Sequence, residues 1–120
     1  MNDKHEVNGQ TITMTYGLLN ECVREVGDVD QLAEIHIDQE LRNALLVIVL
    51  SERDDEGRIE KPVNLHKLEL SVAEVQELLD WIGEHVADFF IGSLERTKKL
   101  LTDRGDRMMA LMPSSSGGEA

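Results

Sequence analysis

Ser71-Val72-Ala73-Glu74-Val75-Gln76-Glu77-Leu78-Leu79-Asp80-Trp81-Ile82-Gly83-Glu84-His85-Val86-Ala87-Asp88-Phe89 is the stretch whose reading decides the fold. Its first four residues form a capping box. The Ser71 hydroxyl is placed to accept from the Glu74 backbone N–H, and the Glu74 carboxylate to accept from the N–H of Ser71. Val72, Val75, Leu79, Ile82, Val86 and Phe89 then recur at spacings of three and four, flanked by Leu78, Trp81, His85 and Phe90. An apolar stripe this wide predicts a helix packed on the protein's own core, with some apolar surface left for a partner. No proline follows until Pro113, while Gly83, Gly92 and Gly105 each weaken a helix by about 1 kcal/mol relative to alanine. The expectation is a strong helix to about Leu101 and a fraying extension to about Met112.

Upstream, residues 1–6 are polar and read as frayed. Asn8-Gly9 predicts a two-residue hairpin turn, and Thr11 to Met14 alternates as a half-buried strand should. Thr15 is a candidate cap for a helix to about Val26. Leu18, Leu19, Cys22, Val23 and Val26 make one apolar face of it, and Gly27 suits its end. Asp28 or Asp30 caps a short turn containing Leu32 and Ile35. Asp38 is the next clear cap, with Glu40 in the first turn. The nearly continuous apolar run from Leu41 to Leu50 then reads as a central helix covered by others. Asp54 to Gly57 is a turn. Residues 58–70 read as a loop containing Pro62, with a short extended piece at Leu68–Leu70. The predicted class is mainly α within α+β: a small N-terminal β-hairpin, then a helical bundle with one long C-terminal helix. Residues 1–112 form one domain, and 113–120 a disordered Ser/Gly tail.

The composition narrows the function. The 120 residues carry 24 acids and 12 bases, a net charge of −12. Residues 1–95 hold 21 of the acids and 7 of the bases, whereas Arg96, Lys98, Lys99, Arg104 and Arg107 crowd into residues 96–112. Such acidity disfavours nucleic acid and favours a basic partner. Cys22 stands alone, so no intrachain disulfide forms. The start of the chain lacks a signal-like apolar stretch, and Ala44–Leu50 is too short to span a bilayer. The expectation is a soluble cytoplasmic protein.

Motifs for chemistry fail one by one. Glu84-His85 lacks the second histidine that a zinc-binding helix needs one turn away, since position 88 is Asp88. His36, His66 and His85 show no ligand spacing. Glu52 to Gly57 resembles the start of a calcium loop, but Val63 stands where its bidentate glutamate is required. Cys22, on an apolar helix face, reads as a core thiol. Glycine-rich phosphate loops are absent. No catalytic residue, cofactor or metal is expected, and the chain reads as a binding protein rather than an enzyme.

Leu78 to Phe90 resembles the core of a family of tail assembly chaperones from long-tailed bacteriophages. Thr15-Tyr16-Gly17-Leu18-Leu19-Asn20-Glu21 resembles the same family, as does Gln39 to Ala44 leading into Leu50 to Gly57. These blocks fall within residues 15–101, and none is a catalytic fingerprint. The resemblance implies a non-enzymatic protein that holds the long, aggregation-prone tape measure protein in the host cytoplasm. It implies help in recruiting tail tube subunits and absence from the mature virion. Many members also have a longer form made by ribosomal slippage, and Ser114 to Ala120 suits a slippery site at the Gly117-Gly118-Glu119 codons.

A client-binding face is then expected where the stripe thins and the charge turns positive: Phe90, Ile91, Leu94, Lys98, Leu101, Met108 and Met109. Methionines there adapt to irregular surfaces. Self-association through the heptad-like seam is a further expectation. Rival readings are a generic acidic helical adaptor with another client, a DNA-mimic inhibitor of a nucleic-acid-binding protein, and a small enzyme subunit.

Overall fold

The capping box forms as the side chains dictate. Ser71 N donates to Glu74 Oε1 at 3.0 Å, and Glu74 N donates to Ser71 Oγ at 3.1 Å. A computed structural model describes residues 2–111, with side chains to residue 105. The chain divides into two compact units, Met1–Asp88 and Phe89–Ala120. Helix α4 (Val72–Leu111) supplies residues to both. The fold is mainly helical α+β, with an N-terminal hairpin, short helices and a long C-terminal helix.

In the first unit, β1 (Lys4–Val7) pairs antiparallel with β2 (Gln10–Thr13) in the register His5↔Ile12 and Val7↔Gln10. Asn8 at φ 51° and Gly9 at φ 78° make the turn, because both residues tolerate positive φ. Val7 and Ile12 are buried on one face of the ribbon. Among residues 2–6 the expected frayed end is not found: β1 begins at Lys4. The reason is tertiary. Trp81 Nε1 donates to the Asn2 carbonyl at 2.8 Å, and His85 Nε2 donates to the same oxygen at 2.9 Å. His5 stacks on the Trp81 ring at 5.3 Å.

Helix α1 (Tyr16–Val26) starts at Thr15, whose Oγ1 accepts from Leu18 N, and ends where the Gly27 N–H bonds the Val23 carbonyl. Cys22 and Val26 are buried. Asp28, rather than Asp30, caps the one-turn α2 (Val29–Leu32), and Ile35 beyond it is buried. Asp38 caps α3 (Gln39–Leu50), its Oδ1 accepting from Glu40 N and Leu41 N. Leu41, Leu45, Leu46 and Val49 are buried, while Ala44, Val47, Ile48 and Leu50 are half-buried. The helix is thus closed on one face and partly covered on the other, less enveloped than its apolar run predicts.

The segment read as a loop after Gly57 holds more order than its sequence predicts. β3 (Glu52–Arg53) and β4 (Ile59–Lys61) form a second ribbon, and Leu65–Lys67 is a 3-10 turn capped by Asn64. Leu68 has extended backbone angles, and Leu68–Leu70 joins neither ribbon. The second ribbon is too short to announce itself by alternation, and Arg53 is what holds it. Its guanidinium donates to both Glu21 carboxylate oxygens at 2.7 and 3.2 Å, and to the carbonyls of Ile48 and Gly57. A bidentate pair of this kind fixes direction as well as contact.

Leu78, Leu79, Trp81, Ile82 and Val86 are the residues α4 buries in the first unit. Val72, expected in that seam, is 74% exposed because it sits in the first turn. In the second unit α4 continues from Phe89 to Leu111. Among the described residues every buried apolar side chain lies at or before Val86. The expected tail, 113–120, lies outside the described residues, as does Met112.

Candidate functional site

The predicted client face lies on the helix of the second unit. The core series Val75, Leu79, Ile82, Val86, Phe89 runs out, since its next members are Ser93 and Arg96. A second series starts in another phase: Ile91, Leu94, Lys98, Leu101, Gly105 and Met108 again alternate spacings of three and four. Those spacings put one set of residues on one helix face. Ile91 is 55% exposed, and Leu94 and Leu101 are each 64% exposed. Lys98 is exposed among them. The face therefore offers large apolar side chains to water with a cation beside them.

Phe90 is placed differently. It is half-buried and meets Phe89 edge-on, with ring centroids 6.2 Å apart, so it is less available than its neighbours. Met108 and Met109 belong to α4, but their side chains fall outside those described. Leu100 is 55% exposed and was missed by the seam reading, since it lies off the three-four series. Its neighbours Lys98 and Lys99 are the only signal that could have marked it as surface.

A second apolar surface lies on the first unit and was not anticipated. A groove of about 640 Å³ opens between the 3-10 turn and the start of α4. Leu65, Leu68, Leu70, Val72, Val75 and Leu79 supply its apolar wall. His36, Arg42 and Asp80 stand on its polar side. His36 Nε2 meets Asp80 Oδ1 at 2.7 Å, and Arg42 donates to the His36 carbonyl at 2.9 Å. Leu65, Leu68 and Leu70 are half-buried, which is what a groove wall requires. Val72, Val75 and Leu79 share one face of α4 by helical spacing.

The histidines, read as structural or surface residues, take hydrogen-bonded places. His36 is paired to Asp80, and His85 donates to the Asn2 carbonyl while its ring meets Trp81 at 5.1 Å. In the acidic turn the Asp54 Oδ1 atom accepts from the N–H groups of Glu56 and Arg58, which occupies it in closing the turn. Among the described residues no group of three or more His, Cys, Asp or Glu side chains is placed to hold a metal ion.

Cys22 is fully buried. Burial first, and the charge of Glu21 second, push its thiol up to about 12, against a smaller opposing effect of Arg53. The thiolate is the reactive form, so this cysteine is a core side chain and a poor nucleophile near neutral pH. Among the described residues no helix is long and apolar enough to cross a membrane.

The described residues thus present two apolar surfaces, one on each unit, in a strongly acidic chain. No protein-family model matches the chain, and neither a curated protein nor a solved structure matches it.

Proposed function

We propose that this chain is a phage tail assembly chaperone that binds the tape measure protein through the helix from Phe89 onward and helps bring tail tube subunits to it. One observation carries the reading. Ile91, Leu94 and Leu101 stand on one helix face, each more than half exposed, beside Lys98. Large apolar side chains kept in water along a helix are the groove-filling anchors of helical recognition. Most helical stability in proteins comes from packing of an amphipathic face, so a client helix that covers this one also stabilises it. The net charge of −12 supports the other half of the role, since charge of one sign keeps a client-loaded assembly soluble. The identity of the client and the tail tube step rest on the resemblance of residues 15–21, 39–44, 50–57 and 78–90 to the chaperone family.

The test is co-expression with a tape measure protein, a very long coiled-coil protein expected on this reading to be encoded next to this gene. The wild-type chain is expected to hold that protein in the soluble fraction and to co-purify with it. The double variant Ile91→Asp, Leu94→Asp is expected to keep its own fold and lose the client. Full client capture by that variant, or failure of the wild type to solubilise the client, removes the proposal.

A further inference from the structure

The groove at the start of α4 has no role in the client face just described, and it points to a second binding event. Its wall is built from Leu65, Leu68, Leu70, Val72, Val75 and Leu79. From Val72 to Asp80 the helix rises roughly 12 Å, about two turns. An extended apolar trough of that length matches a helix that presents side chains at i, i+3 or i+4, and i+7. Val72 is the telling member of the wall. A valine that is 74% exposed at the mouth of an apolar groove has neighbours that a partner would complete.

Charge selects the kind of partner. The first unit, residues 1–88, carries 20 acids and 7 bases, a balance of −13. Residues 65–80, which supply most of the groove lining, hold four acids (Glu69, Glu74, Glu77 and Asp80) against the single base Lys67, and of these Asp80 lines the groove itself. The Asp80 side chain is 65% exposed even while it pairs with His36. Arg42 is the opposing cation on the lining, and it is already engaged with the His36 carbonyl. An apolar trough inside a negative field favours an apolar stripe with positive flanks.

We propose that this groove docks an amphipathic helix from a partner protein, with an apolar stripe about two turns long and lysines or arginines beside it. The site is distinct from the face at Ile91, Leu94 and Leu101, and it does not depend on the identity of the tape measure client.

The experiment uses the full chain and a fluorescently labelled synthetic peptide of about five helical turns, with leucines at spacings of three and four and lysines elsewhere. Binding is read by anisotropy. The same peptide with glutamate for lysine is expected to bind at least about tenfold more weakly. Val72→Asp is the decisive variant. An aspartate in the first turn suits the helix dipole, so the fold is expected to survive, and melting followed by circular dichroism checks this. The substitution makes the chain more acidic, which would tighten a purely electrostatic association. It also sets a carboxylate in the apolar trough, which weakens docking there by about tenfold or more. Ile91→Asp is expected to leave peptide affinity unchanged. Equal or tighter binding by Val72→Asp, loss of binding in Ile91→Asp, or no binding by the wild type overturns the proposal. Because the groove is read through Val72→Asp and the client face through the double variant Ile91→Asp, Leu94→Asp, failure of the groove and failure of the client face are distinguishable.

Discussion

Residues 72–88 and residues 89–105 belong to one continuous helix, yet they solve opposite problems. The first stretch spends its apolar side chains on the core: Leu78, Leu79, Ile82 and Val86 are fully buried, and Trp81 nearly so. The second keeps Ile91, Leu94, Leu100 and Leu101 more than half exposed. Aliphatic content does not explain the difference, since residues 72–88 hold two Leu and one Ile and residues 89–105 three Leu and one Ile, although the second stretch is the more basic. What separates them is phase. The core series ends in Ser93 and Arg96, and the later series begins at Ile91 on a different face. A shift of phase in the apolar spacing means that the two stripes are not one continuous seam. The difference teaches that helical periodicity reports burial against a surface, without saying whose surface it is.

The sharpest way to break this comparison is to delete side-chain volume in each half. Ile82→Ala is expected to destabilise the protein by roughly 2–5 kcal/mol, because a fully buried side chain leaves a cavity. Urea unfolding reads this as a fall in the midpoint with an unchanged slope. A loss below about 1 kcal/mol would mean that the site collapses or is less packed than its burial indicates. The cap shared by both halves comes next. Ser71→Ala removes the acceptor for Glu74 N, and the expected cost is about 1 kcal/mol. A change indistinguishable from zero in the same unfolding experiment would show that the capping box contributes nothing to global stability. Leu101→Asp should have the smallest effect on stability, within about 0.5 kcal/mol, since the side chain is already mostly in water. A much larger loss would place Leu101 in a packed interface, within the chain or between copies.

Much of the first unit was legible in its residues. Asn8-Gly9, Thr15, Gly27, Asp38 and Ser71 act locally, through positive φ or through a side-chain oxygen meeting a nearby N–H, so each reads correctly without knowledge of the rest. Cys22 was legible for a similar reason: an apolar helix face predicts burial, and burial then raises its pKa. The misreadings fall where distant residues decide. Residues 4–6 are ordered in β1, and the Asn2 carbonyl before them meets Trp81 and His85 about eighty residues away. Glu52–Arg53 and Ile59–Lys61 pair because Arg53 reaches back to Glu21. The candidate face divides the same way. Ile91, Leu94, Lys98 and Leu101 follow from spacing and charge, and all four are exposed. Phe90 was named too, and its contact with Phe89 half-buries it.

The sequence by itself determined where the helices start and stop, which face of each is apolar, the acidity of the chain and the lack of a recognisable catalytic motif. Those properties come from interactions spanning a few residues, or from simple sums over the chain. Only the tertiary structure decided that Val72 stands in water, that Leu65, Leu68 and Leu70 line a groove with it, and that the N-terminal strand is held. Each of these depends on which segments meet in space. Contacts between residues far apart in sequence leave no local periodicity to read, and so the groove beside Ser71 could be found only after the chain had folded.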